Sequence, residues 1–264
     1  MRARGVINLW VPVALLAVGG AAGCGADKPG SQTAAAKVAA PPSATKTATA
    51  PTASPTVEAS GNAIEPFLTA QPTCQDKTFT GPAPAKFGAD RVTAGYRFAV
   101  KFVIDATFDD SLMNNLHPRP EDFTFVEKDM TASAKASWGE AVALALKPNS
   151  TKQQFFNVVA LTSYNIVNPS KGEKPTTPAF RDAACGPATA GVGTDSLNQP
   201  ALTLRFNITG KFLTTGKDGQ PLARTLRKRM TMNLSRTGVA AAPWAVDKLS
   251  ANTTYSDNAP DDGK

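Results

Sequence analysis

Leu202-Thr203-Leu204-Arg205-Phe206-Asn207-Ile208-Thr209 and Leu226-Arg227-Lys228-Arg229-Met230-Thr231-Met232-Asn233-Leu234 decide the fold. In both, apolar and polar side chains alternate with a period of two, apart from Lys228. A strand sends successive side chains to opposite faces, so this alternation marks strands that bury one face only and therefore an antiparallel sheet. Between them lies Gly216-Lys217-Asp218-Gly219-Gln220. A two-residue turn at Asp218-Gly219 would pair even with odd positions and set Leu204 against Asn233, mixing the faces. A three-residue loop, Lys217-Asp218-Gly219 with Gly219 left-handed, pairs Gly216 with Gln220 and sets Leu204 opposite Met232, Phe206 opposite Met230 and Leu202 opposite Leu234. The same register puts Asn207 opposite Arg229, Thr209 opposite Arg227 and Arg205 beside Thr231, so Arg205, Arg227 and Arg229 share the outward face. Lys228 falls opposite Ile208 on the apolar side, where its amine is expected to reach for an edge.

Working outward, Trp244 to Tyr255 reads as a further strand with a phase change near Lys248-Leu249, the mark of a bulge. Phe155 to Val167, with Val158, Val159, Leu161, Tyr164 and Ile166, reads as a long apolar strand. Asn168 to Pro200 is rich in Pro and Gly and reads as an irregular insertion. Two helices precede. Thr131 caps a helix over Ala132 to Leu146 that stops before Pro148. The stretch Tyr96 to Asp105 fits either period. Its even positions are apolar, as in a strand, while Tyr96, Ala99, Val100, Val103 and Ile104 form a helical stripe opposite Arg97, Lys101 and Asp105. The helical reading is preferred. These elements give one α+β domain over residues 71–255, with helices on a curved antiparallel sheet of about four strands, and a disordered tail at 256–264.

Upstream, Arg2 and Arg4 precede an apolar run from Val6 to Val18 that ends in small residues at Ala21-Ala22-Gly23-Cys24. A charged start, a short apolar core and a small-residue site describe a secretory signal, 1–23, rather than a span, which needs about 20 apolar residues. The ending resembles the lipobox of bacterial lipoproteins, which implies diacylation of Cys24 and a lipid anchor on the outer face of the membrane. Residues 24–70 are mostly Ala, Pro, Thr, Ser, Gly and Lys, too poor in large apolar groups to order a core. They read as an extended tether, either bare or O-glycosylated. Of the three cysteines, Cys74 and Cys185 then remain, and an exported pair reads as a disulfide that staples the insertion to the start of the domain. A redox pair is the alternative.

Helices followed by an antiparallel meander whose last strand carries Trp244-x-Val246 resemble NTF2-like (cystatin-like) domains over roughly Asp90 to Tyr255. That resemblance implies a curved sheet around a long helix and a role as scaffold, small-ligand pocket or enzyme, so fold alone does not decide function. It also makes an inward Asp105 a candidate proton-transferring carboxylate; the plainer reading pairs it with Lys101. His117, the one histidine, lies in Leu116-His117-Pro118-Arg119-Pro120 with no nucleophile or orienting acid at motif spacing. No metal or cofactor motif is present. Asp109-Asp110, Glu121-Asp122 and Glu127-Asp129 lack the spacing of a calcium loop and read as a solvated acidic rim.

The chain is +7 at pH 7, and the excess is local. Between Ala201 and Arg236 stand Arg205, Lys211, Lys217, Arg224, Arg227, Lys228, Arg229 and Arg236 against Asp218 alone. Export and the lack of aromatics on the polar strand face argue against nucleic acid. The sequence therefore predicts a non-catalytic envelope lipoprotein that binds a partner protein or an anionic envelope component such as a membrane surface or an acidic wall polymer. The alternative is a small-ligand or isomerase-type pocket of the NTF2 kind, in which Asp105, Tyr96 or His117 would converge.

Overall fold

The computed structural model describes Cys74 and residues 77–261 apart from 110, 114, 165, 168, 257 and 258. Cys24, the signal segment and the tether expected at 24–70 lie outside the described residues.

The chain runs α1 (Pro82–Phe87), α2 (Ala89–Thr107), a 3-10 segment (Pro120–Asp129), α3 (Ala132–Ala145) and α4 (Lys152–Val159). It continues as β1 (Lys174–Thr194), β2 (Pro200–Thr215), β3 (Pro221–Arg236), β4 (Trp244–Tyr255) and the two-residue β5 (Ala259–Pro260). The strands form a curved antiparallel sheet in the order β1-β2-β3-β4, with β5 beside β3 past the end of β4. The tail expected to be disordered thus contributes a sheet pair, Leu222 with Pro260 and Ala223 with Ala259.

The stretch of ambiguous period is helical. α2 buries Val92, Tyr96, Ala99, Val100, Val103 and Ile104, a stripe at helical spacing. It lies against β2 and β4, and Gly95 marks the close approach. A Cβ there would stand 2.5 Å from Leu202 Cδ2 and 3.2 Å from Trp244 Nε1. Trp244 Nε1 donates to the Arg91 carbonyl at 3.2 Å, tying the start of β4 to this helix. Thr131 caps α3 by accepting from Ala134 N at 3.2 Å.

The hairpin β2–β3 keeps one register throughout: Leu202 faces Leu234, Leu204 faces Met232, Phe206 faces Met230 and Thr215 faces Pro221. Gly216 N donates to Gln220 O at 2.9 Å and Gly219 has φ 73°, as the three-residue loop requires. The bulge in β4 sits one residue earlier than expected. Asn233 pairs with Lys248 and Leu234 with Val246, so Asp247 is the extra residue.

Two expectations fail. Phe155 to Val167 is not a strand: its first part belongs to α4 and the rest is a turn and loop. Thr151 accepts from Gln154 N at 3.2 Å while Gln154 Oε1 accepts from Thr151 N at 2.8 Å, a reciprocal cap that starts a helix. Phe155, Val158, Val159 and Thr162 stand three and four apart, and Val158 and Thr162 are fully buried. Nor is 168–200 an irregular insertion, since most of it is β1, whose ladder to β2 slips between Pro175 and Phe180, Arg181 and Ala184, and Cys185 and Ala188. Prolines and glycines that would break a central strand are tolerated at bulges on an edge. Cys185 consequently lies in a strand, and its bridge to Cys74, with Cα atoms 4.9 Å apart, fastens the edge of the sheet to the chain ahead of α1.

Candidate anion-binding face

The helices cover one face of the sheet, and the other is polar. Across β2, β3 and β4 the ladder aligns Asn207 with Arg229 and Asn252, and two residues along aligns Thr209 with Arg227 and Thr254. Side chains two apart share a face, so the outer surface carries two adjacent rows, Asn-Arg-Asn and Thr-Arg-Thr. Rows are about 6.7 Å apart along the strands and strands about 4.8 Å apart across them. These residues line a depression of about 490 Å³ whose β1 side is Gly186. Arg227 and Arg229 are exposed, and Asn207, Thr209 and Asn252 half-buried. Arg205 stands beside Thr231 further along the same face.

The ion pairs set these arginines apart. Arg181 pairs with Asp261 and with Asp182, which also takes Lys211 at 3.0 Å, and Arg224 pairs with Glu173 at 3.6 Å. Among the described residues no carboxylate stands within 4 Å of Arg205, Arg227 or Arg229. Two like unit charges held at the row spacing of about 6.7 Å repel by roughly 0.6 kcal/mol even in water. Threonine and asparagine would keep a sheet face solvated without that cost.

Lys228, between the two arginines in sequence, points the other way. It does not reach an edge; it is 1 % exposed, and its Nζ donates to the Leu161 carbonyl at 2.7 Å. Leu161 O also accepts from Thr107 Oγ1 at 3.0 Å, and Thr253 Oγ1 donates to Ala160 O at 2.9 Å. The buried amine thus meets the Leu161 carbonyl just past the C-terminus of α4, the negative end of a helix. Desolvation without a counter-charge lowers its pKa well below the ordinary lysine value.

The residues proposed for a catalytic pocket do not converge. Tyr96 and Asp105 are nine residues apart on α2, which places them on opposite sides of the helix and about 13 Å apart along it. Tyr96 is fully buried between Phe79 and Phe206, its ring centroid 5.5 and 5.9 Å from theirs. Burial pushes its hydroxyl up to about 12. Asp105 accepts from Lys101 at 3.2 Å and from Lys128 at 3.5 Å. His117 is exposed in the loop before the 3-10 segment. Of the acidic rim, Asp122 is held below the usual carboxylate range, first by the Arg119 backbone N–H at 2.9 Å.

Asn252, Thr254 and Gly186 were not singled out in the sequence. For Asn252 and Thr254 the local signal is the alternation within β4, and the bulge at Asp247 decides which rows they join; Gly186 lies in β1, where the ladder to β2 slips between Cys185 and Ala188. A pair of buried carboxylates also escaped it. Burial raises the pKa of Asp195, but bonds from the Gln199 and Leu197 backbone and the Ser235 hydroxyl outweigh that and lower it. Asp247 accepts from Ser196 N at 2.8 Å, Ser196 Oγ at 2.7 Å and Thr131 Oγ1 at 3.2 Å. With these donors supplied by the β1–β2 turn and the α3 cap, Asp247 is a structural joint.

No protein-family model, curated protein or solved structure matches the chain.

Proposed function

We propose that the protein is a non-catalytic lipoprotein, anchored through Cys24 to the outer face of a bacterial membrane, whose domain holds an anionic envelope component on the outer face of its sheet. The observation that carries this reading is the arginine pair, Arg227 and Arg229, set beside Arg205 with no carboxylate of the described residues within 4 Å of any of the three. An anionic partner relieves their repulsion and supplies the missing counter-charge, with contacts that weaken in salt. The separation of Tyr96, Asp105 and His117 favours binding over the isomerase-type alternative. The lipobox-like ending at Cys24 and the composition of 24–70 support anchoring on a tether. A long helix against a curved antiparallel sheet supports an NTF2-like scaffold. Nucleic acid is not the partner expected of an exported chain, and no cofactor is invoked.

Reversing both charges with Arg227→Glu and Arg229→Glu tests the face. The wild-type chain is expected to stay on a polyphosphate column at low salt and elute as salt rises, and the double variant to flow through while keeping its circular dichroism. Retention of the folded double variant at wild-type salt refutes the binding face. A Cys24→Ser variant tests the anchor, and incorporation of labelled fatty acid into it refutes acylation at that position.

A further inference from the structure

We infer that the depression over Arg227 and Arg229 is a subsite for one phosphorylated polyol, a unit bearing both a phosphate and free hydroxyls. This rests on the anionic-face reading and narrows it. Three features lead to the chemistry. First, Arg227 and Arg229 stand two residues apart on one strand, about 6.7 Å by the strand rise, close enough for both guanidinium forks to donate to one group with three or four oxygens, whereas one fork already satisfies the two oxygens of a carboxylate. Second, Asn207 and Asn252 flank Arg229, and Thr209 and Thr254 flank Arg227. Their amide and hydroxyl oxygens are acceptors that a bare anion cannot use, and hydroxyl groups beside the phosphate can. Third, the depression, about 490 Å³, has no aromatic side chain in its lining. It is of a size that holds a small organic molecule, without the ring surface on which a flat ligand stacks.

A polyol phosphate reaches such a site as a repeat of a wall polymer or as a phospholipid head group, and one experiment separates these. The full mature chain carrying Cys24→Ser, so that no acyl group contributes, is titrated at constant ionic strength with glycerol 1-phosphate, inorganic phosphate and glycerol. Backbone amide shifts are followed by NMR. Glycerol 1-phosphate is expected to saturate with shifts at Asn207, Arg229 and Asn252 and to bind at least about tenfold more tightly than phosphate, the worth of one or two added hydrogen bonds. Equal affinity for the two overturns the subsite. Asn252→Trp fills the depression and Asn252→Ala removes one partner without filling it. Both are expected to lose the tenfold preference while the polyphosphate column still retains them. A preference kept by the folded variants also overturns it. Loss of column retention in wild type would instead defeat the anionic face itself. Phosphatidylglycerol vesicles and poly(glycerol phosphate) are then added separately as competitors. Displacement by the vesicles assigns a lipid source, displacement by the polymer a wall source, and displacement by neither overturns the proposal.

Discussion

Replacing Lys228 by Met is expected to stabilise the domain at neutral pH and to remove one component of its pH dependence. In the unfolded chain this amine holds its proton up to the ordinary lysine value of 10.5, whereas burial makes the folded side chain release it at lower pH. Between those two values the unfolded state binds one more proton than the folded state. Stability therefore rises with pH across that window, by up to about 1.4 kcal/mol per pH unit. Below the window both states hold the proton, and the folded state carries the whole cost of an unpaired buried ammonium. Methionine has a similar length, carries no charge and removes that cost. The lost bond to Leu161 O is worth about 1 kcal/mol, but Thr107 Oγ1 still donates to that oxygen at 3.0 Å, so no buried carbonyl is orphaned. The net expectation at pH 7 is a gain of about 1–3 kcal/mol. Urea denaturation from pH 6 to 10, followed by tryptophan fluorescence with the disulfide intact, measures both quantities. A Met variant less stable than wild type at pH 7, or one with an unchanged pH slope, would refute the idea that desolvation dominates at this lysine.

Removing both Cys74 and Cys185 as serines opens a loop of 111 residues, for which chain entropy predicts a loss of about 4–5 kcal/mol; peptide mapping without reduction should first find the two linked. Gly95→Ala usually stabilises a helix by about 1 kcal/mol. Here the added methyl meets Leu202 Cδ2 at 2.5 Å, so a net loss of about 1–3 kcal/mol is expected in denaturant titration. Asp247→Ala deprives Ser196 N, Ser196 Oγ and Thr131 Oγ1 of their acceptor. It should cost about 3 kcal/mol or more, with Asp247→Asn milder in the same melts.

Parity made the β2–β3 hairpin legible in advance. Once the alternation at Leu202 to Ile208 and Leu226 to Leu234 has to bury one face, only an odd-length loop keeps the apolar sets together. The register, the left-handed Gly219 and the outward arginines follow. The Thr131 cap and the apolar stripe of α2 were legible for the same reason, because caps and helical spacing act within a few residues.

The rest depended on partners distant in sequence. Val158, Leu161 and Ile166 suit a buried strand or a buried helix equally by composition, and the reciprocal cap at Thr151 and Gln154 together with the surface available for packing chose the helix. The Pro- and Gly-rich stretch became β1 because an edge strand needs only one neighbour and its bulges absorb residues that cannot join the ladder. Lys228 broke the alternation in the sequence, yet nothing local could reveal that the Leu161 carbonyl, just past the end of α4, awaits it inside. The Asn-Arg-Asn and Thr-Arg-Thr rows likewise exist only because the extra residue at Asp247 shifts β4 by one position. In the β2–β3 hairpin the spacing of neighbours along the chain therefore settled in advance which side chains share a face. Only the tertiary structure decided what each face meets, since that depends on strands and helices brought together from far apart.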